Sequence, residues 1–166
     1  KIDAAGSKAN ADLQNKLKTM KTDAQKLAAL NATLPAVKYS RSEKGVLSAI
    51  QKIKDAQALG AYNKLSAELA KIKTSAGKVD KIKASMGAFE GTKYADMLEK
   101  TQGIEQGKIA MGEYSKFQAA LNVSKPKPLT DAAKAALCMT EMKKPVYAGT
   151  KQLDMIKSSL MSARTA

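Results

Sequence analysis

Residues 61–89 read AYNKLSAELAKIKTSAGKVDKIKASMGAF, and this stretch decides the fold class. Tyr62, Leu65, Leu69, Ile72, Ala76, Val79, Ile82, Met86 and Phe89 recur at steps of three and four, the period of one helix face. No consistent period-2 alternation competes with it, so the spacing predicts one long amphipathic helix from about 61 to 88. Lys64, Lys71 and Lys78 recur every seven residues beside this apolar stripe, and Lys54, Lys73, Lys81 and Lys83 extend the basic stretch. Only Glu68 and Asp80 oppose them locally. These seven lysines are the candidate partner-binding surface, suited to an acidic protein surface or an anionic membrane face.

Working outward, Leu13, Leu17, Met20, Ala24 and Leu27 keep the same spacing and predict a first helix capped by Asn10. Residues 31–40, with Pro35 among them, read as a connector. Ser40 and Glu43 fit a capping box that opens a second helix, with Val46, Ile50, Ile53 and Ala56 inward and Gly60 as its end or kink. Downstream, residues 94–121 read as a helix perforated by Gly103, Gly107 and Gly112. Each interior glycine costs about 1 kcal/mol against alanine, so packing must hold this helix. Residues 122–129 contain Lys-Pro-Lys-Pro and read as a second connector. Thr130 then caps a short helix to about Lys143, Pro145 interrupts it, and a last helix carries Leu153, Ile156 and Leu160 inward.

Composition agrees with this pattern. There are 29 alanines among 166 residues, only seven aromatic residues and 14 Gly plus Pro, which favours helices over strands. The expectation is a single all-α domain over 1–166: an elongated antiparallel helical bundle of four to six helices with proline-containing connectors near 31–40 and 122–129. No apolar run approaches the roughly 20 residues that span a bilayer, so no transmembrane segment is expected.

Several function classes lose their chemistry here. The chain has no histidine, so it lacks the usual general base, imidazole metal ligand and mildly acidic pH switch. A single cysteine rules out an internal disulfide and any paired-cysteine metal or redox motif. Cys138, Met139 and Met142 form the one soft-ligand cluster and read as a buried thiol with gap-filling methionines, with no metal expected. The segment Gly103-Ile-Glu-Gln-Gly107-Lys108-Ile109 is one residue short of a phosphate loop and has Ile109 where Ser or Thr belongs. Its glycine pair instead predicts a close helix crossing, the alternative being a ligand channel beside Met111 and Phe117. No nucleophile-elbow or dinucleotide motif occurs, so neither catalytic residues nor cofactors are expected.

Net charge is +14, with 17 basic against eight acidic residues in 1–90 and 12 against seven in 91–166. Specific nucleic-acid binding is disfavoured, because only Arg41 and Arg164 can offer a bidentate fork and no aromatics interleave with the lysines. Lys-Ile-Lys recurs at 52–54, 71–73 and 81–83, which fits a core isoleucine flanked by lysines whose stems cover its edges. The chain starts at Lys1, and Asn31-Ala-Thr33 and Asn122-Val-Ser124 are acceptor sequons in expected loops. Both suggest a mature chain in an extracytoplasmic space or organelle lumen after removal of a leader. The functional expectation is a non-enzymatic basic bundle that docks as an extrinsic or accessory subunit. The alternatives are an apolar-ligand or lipid-binding bundle, or an alanine-rich surface protein of a microbe or parasite.

Overall fold

The computed structural model describes residues 2–122 and 128–165. It is an all-α helical bundle, with no strand among the described residues. Its helices are α1 (Ile2–Thr19), α2 (Asp23–Val37), α3 (Glu43–Lys71), α4 (Ser75–Ser85), α5 (Lys93–Leu121), α6 (Asp131–Glu141) and α7 (Lys151–Thr165). Short 3₁₀ turns occupy Met86–Phe89 and Pro145–Tyr147. The chain divides into two compact units: unit 1 is Lys1–Glu68 with Ser85–Met97, and unit 2 is Leu69–Ala84 with Leu98–Ala166.

The core of unit 1 is Leu13 of α1, Leu30 and Val37 of α2, and Val46 and Ile50 of α3, with Leu17, Leu27, Leu34 and Ile53 packed against it. Beside it, Tyr62 stacks on Tyr94 with ring centroids 4.5 Å apart and takes the edge of Phe89 at 6.2 Å. The carboxylate of Asp55 on α3 accepts the Lys93 amide at 2.9 Å and so caps the start of α5. That bond, followed by one from Gln51, holds its pKa below the ordinary carboxylate value against the opposing effect of desolvation.

The expected first helix is instead two. α1 stops at Thr19 because Thr22 and Gln25 form a reciprocal capping box that starts α2. Gln25 N–H donates to the Thr22 hydroxyl at 3.2 Å, and the Thr22 amide donates to Gln25 Oε1 at 3.3 Å. Residues 31–37, expected as connector, are the second half of α2. Pro35 lies inside that helix, which runs on to Val37 although a proline there can make no amide bond to the Asn31 carbonyl. Asn31 of the first sequon is therefore helical, while residues 123–127, with most of the second connector and sequon, lie outside the described residues.

At the start of α3 the expected Ser40–Glu43 box is displaced by one residue. Glu43 Oε2 accepts the Tyr39 amide at 2.7 Å, and the Ser40 hydroxyl accepts the Ser42 amide at 3.3 Å. Gly60 neither ends nor breaks α3, which runs on to Lys71. The break falls at 72–74, where the Gly77 amide donates to the Thr74 hydroxyl at 3.2 Å and Thr74 caps α4. The stripe of 61–89 is thus carried by the end of α3, α4 and a 3₁₀ turn, and Leu65, Leu69, Val79, Ile82 and Phe89 are buried as the spacing requires.

In unit 2 the core is Ala110, Tyr114 and Phe117 of α5, Cys138 of α6, Tyr147 of the second 3₁₀ turn and Ile156 of α7. α5 passes through its three glycines unbroken, Thr130 caps α6 by accepting the Ala133 amide at 3.3 Å, and Pro145 opens the interrupting turn, all as the residues predict.

Candidate functional site

Of the seven candidate lysines, Lys54 and Lys64 belong to unit 1, and Lys71, Lys73, Lys78, Lys81 and Lys83 to unit 2. The break at 72–74 corrects one expectation: Lys64 and Lys71 share a face of α3, but Lys78 stands on a different helix and the seven-residue repeat does not carry through. Lys54, Lys64, Lys71, Lys73 and Lys83 are exposed, whereas Lys78 and Lys81 are half-buried. Lys78 Nζ lies 3.8 Å from Glu105 Oε1, so it is a structural cation.

Glu105 is the centre of that contact. Its side chain is only 7% exposed and also accepts Lys108 Nζ at 2.7 Å. The Lys108 bond, then one from Ser75, holds its pKa below the ordinary value. A second polar cluster closes unit 2 at the 3₁₀ turn. The buried Tyr147 hydroxyl donates to Glu141 Oε1 at 2.7 Å, and Lys144 Nζ meets the same oxygen at 2.8 Å and Glu113 Oε2 at 3.6 Å. Desolvation first, then the bond to Glu141, pushes the Tyr147 phenol well above its ordinary range. The Glu141 bond likewise raises Lys144, and burial raises the Cys138 thiol.

These shifts fix the pH dependence of stability. Cys138, Tyr147 and Lys144 have folded values raised above 9.0, 10.0 and 10.5, so what they contribute is intact below pH 9 and is lost as pH climbs through the folded values. Asp55, Glu105 and Glu113 have folded values lowered from 3.8 or 4.5, so their contribution is intact above 4.5 and is lost as pH falls through the folded values. With no histidine, melting temperature measured against pH is expected to stay flat from about 5 to 9 and to fall on both sides. Tyr147→Phe is expected to soften the alkaline fall. A sharp change near pH 6.5 would contradict this picture.

Unit 2 also holds a cleft of about 640 Å³. Its walls are α4, α5 with Gly103 and Gly107, and the turn from Pro145 into the start of α7 with Gly149, Lys151 and Gln152. The expected close crossing at the glycine pair is absent: a Cβ added at Gly103, Gly107 or Gly112 meets nothing within 4 Å. The two glycines form part of an open wall. The channel considered beside Met111 and Phe117 is not this cleft either, since Phe117 is in the core and Met111 is 52% exposed outside the lining. Gly103→Ala and Gly107→Ala are therefore each expected to stabilise the protein by about 1 kcal/mol, through helix propensity without steric penalty. Chemical denaturation followed by circular dichroism checks this, and an earlier transition would show that α5 is crowded there.

Cys138 and Met142 enter the core as expected, while Met139 is 43% exposed and its sulfur lies 3.6 Å from Arg164 Nη2. Among the described residues no three His, Cys, Asp or Glu side chains gather to hold a metal ion. No described helix is long and apolar enough to cross a membrane. The chain matches no known protein family, and neither a characterised protein nor a solved structure matches it.

Proposed function

We propose that this protein is a non-enzymatic accessory subunit that docks electrostatically on an acidic protein surface through the lysines around the α3–α4 break. The observation that carries this reading is a local surplus of unpaired positive charge. Residues 69–84 hold five lysines and one aspartate, and Lys71, Lys73 and Lys83 are exposed with no acidic partner among the described residues. Most acidic groups of unit 2 are committed elsewhere, Asp80 and Glu99 being the exceptions. Glu105, Glu113, Asp131, Glu141 and Asp154 of unit 2 are each paired to a lysine close by in the chain. Lys64 of unit 1 is likewise exposed with no acidic partner among the described residues.

An acidic protein is favoured over a bilayer because the basic stretch has no apolar anchor. α4 buries Val79 and Ile82, and no large hydrophobic residue of 69–84 is among the exposed ones. A helix that lies in a membrane interface needs such a free apolar face. The test is the affinity of the protein for poly-L-glutamate against that of the Lys64→Gln/Lys71→Gln/Lys73→Gln variant. The variant is expected to bind roughly tenfold more weakly, the equivalent of 1.4 kcal/mol, with its melting temperature unchanged because the three side chains are exposed. Equal binding by both proteins, or preferential binding to phosphatidylserine vesicles, would overturn the reading.

A further inference from the structure

Oxidant chemistry in this chain falls to its methionines. There are eight of them, against no tryptophan, no histidine and one cysteine. Cys138 is buried and desolvation holds its thiol above the ordinary range, so the thiolate that reacts with peroxides is neither formed nor reachable. A thioether reacts without ionising, and Met97, Met111, Met139, Met155 and Met161 are exposed.

Two of these are set apart by what their sulfurs touch. Gln152 Nε2 donates to Met111 Sδ at 3.9 Å, and Arg164 Nη2 donates to Met139 Sδ at 3.6 Å. Met111 belongs to α5 and Met139 to α6, while both donors belong to α7, Gln152 in its first turn and Arg164 in its last. Both ends of α7 are thus fastened within unit 2 through sulfur, a weak acceptor. Gln152 is nine-tenths buried, so its amide depends on that poor partner.

Hydrogen peroxide at either thioether would transfer one oxygen. A sulfur lone pair attacks, the S–O bond forms as the O–O bond breaks, and the proton of the transferred hydroxyl leaves with the departing hydroxide as water. Sulfur gives up two electrons and the peroxide is reduced. The product is polar, which disrupts a core. Met111 and Met139 are half in solvent already, so little burial opposes the change. The sulfoxide oxygen, a strong acceptor, then stands beside an amide donor in one case and a guanidinium in the other, and the second pairing is charge-assisted.

We infer that Met111 and Met139 are a reversible peroxide-modified pair whose sulfoxides tighten α7 onto α5 and α6, the opposite of the loosening that oxidation of a core methionine causes. Methionine sulfoxide reductase restores the thioethers at the expense of a dithiol, which becomes a disulfide as the oxygen leaves in water.

The test uses the full chain carrying Met97→Leu/Met155→Leu/Met161→Leu, in which Met111 and Met139 remain as the exposed methionines. Exchange of methionine for leucine keeps volume and changes stability little. Treated with hydrogen peroxide and mapped by peptide mass spectrometry, this protein is expected to gain oxygen at Met111 and Met139 before the half-buried Met20, Met86 and Met142. Its melting temperature is expected to rise by at least about 2 °C, the scale of one added hydrogen bond in a chain of this size. Amide exchange in α7 is expected to slow at least about threefold. Reductase with dithiothreitol is expected to return both readings to their starting values. Arg164→Leu is expected to remove about half of the rise, and Met111→Leu/Met139→Leu to leave the melting temperature unmoved by peroxide. Oxygen added first to the half-buried methionines, or a melting temperature that falls or stays level with both sites oxidised, would overturn the proposal. So would an undiminished rise in Arg164→Leu, or a shift that persists after the reductase, which would place the effect outside the sulfoxides.

Discussion

Replacing Tyr147 with alanine is expected to lower the unfolding free energy by about 3–5 kcal/mol, the range for truncating a large buried ring. Tyr147 is the largest fully buried side chain among the described residues and belongs to the core built from α5, α6 and α7. Alanine removes both the ring's packing and the hydroxyl that donates to Glu141. Tyr147→Phe separates the two: it keeps the ring and is expected to lose about 1.5–3 kcal/mol, the worth of a hydrogen bond to a charged acceptor. Glu141 keeps Lys144 at 2.8 Å in that variant, so its carboxylate is not orphaned. Denaturant unfolding of the three proteins measures both steps. A loss below about 1 kcal/mol for the alanine variant would show that the core of unit 2 is not built around this residue.

Gly6→Ala is expected to destabilise by about 1–3 kcal/mol, in spite of the roughly 1 kcal/mol that alanine gains inside a helix. Gly6 is buried in α1 where α1 passes Ser40, and a Cβ placed there collides with both Cβ and Oγ of that serine. The serine cannot rotate out of the way, because its Cβ is fixed to the backbone and its hydroxyl is held by the Val37 carbonyl at 2.6 Å. Ser40→Gly in the same chain is expected to restore much of the loss, and the double-mutant cycle isolates the clash. Gly60→Ala supplies the contrast: no atom lies within 4 Å of its Cβ, so it is expected to stabilise by about 1 kcal/mol. Destabilisation by both substitutions alike would contradict the assignment of Gly6 as a point of contact.

The spacing of apolar residues located the buried faces well and the helix ends poorly, for a physical reason. Leu17, Met20, Ala24 and Leu27 stay in helical phase across the gap between α1 and α2, and Leu69, Ile72, Ala76 and Val79 do the same across 72–74. A break that keeps the three-and-four spacing leaves no mark in the sequence, although Ala24 and Ala76 themselves are exposed. The ends were encoded in capping chemistry: Thr22 with Gln25, and Thr74 hydrogen-bonded to the Gly77 amide. Pro35 points the opposite way, to a connector, yet α2 continues through it to Val37.

The candidate sites were legible to different degrees. Exposure of Lys54, Lys64, Lys71, Lys73 and Lys83 follows from their places beside the apolar stripe. The capture of Lys78 by Glu105 links residues 27 apart in sequence on different helices, and no local pattern announces it. Gly103 and Gly107 gave a real but two-sided signal, because the same pair suits a tight crossing or an open wall. The walls of the cleft at the start of α7 depend on where the turn at Gly149 sends the chain, which spacing does not encode.

Electrostatic docking by exposed lysines is tested most directly by the affinity of the full chain for poly-L-glutamate measured against salt. The Debye length shrinks from about 30 Å at 0.01 M to about 8 Å at 0.15 M, so attraction between exposed charges fades over that range. The account predicts a steep loss of affinity with added salt, and a clearly shallower dependence for the Lys64→Gln/Lys71→Gln/Lys73→Gln variant. Affinity that stays constant as salt rises, or an identical salt dependence in both proteins, would contradict it.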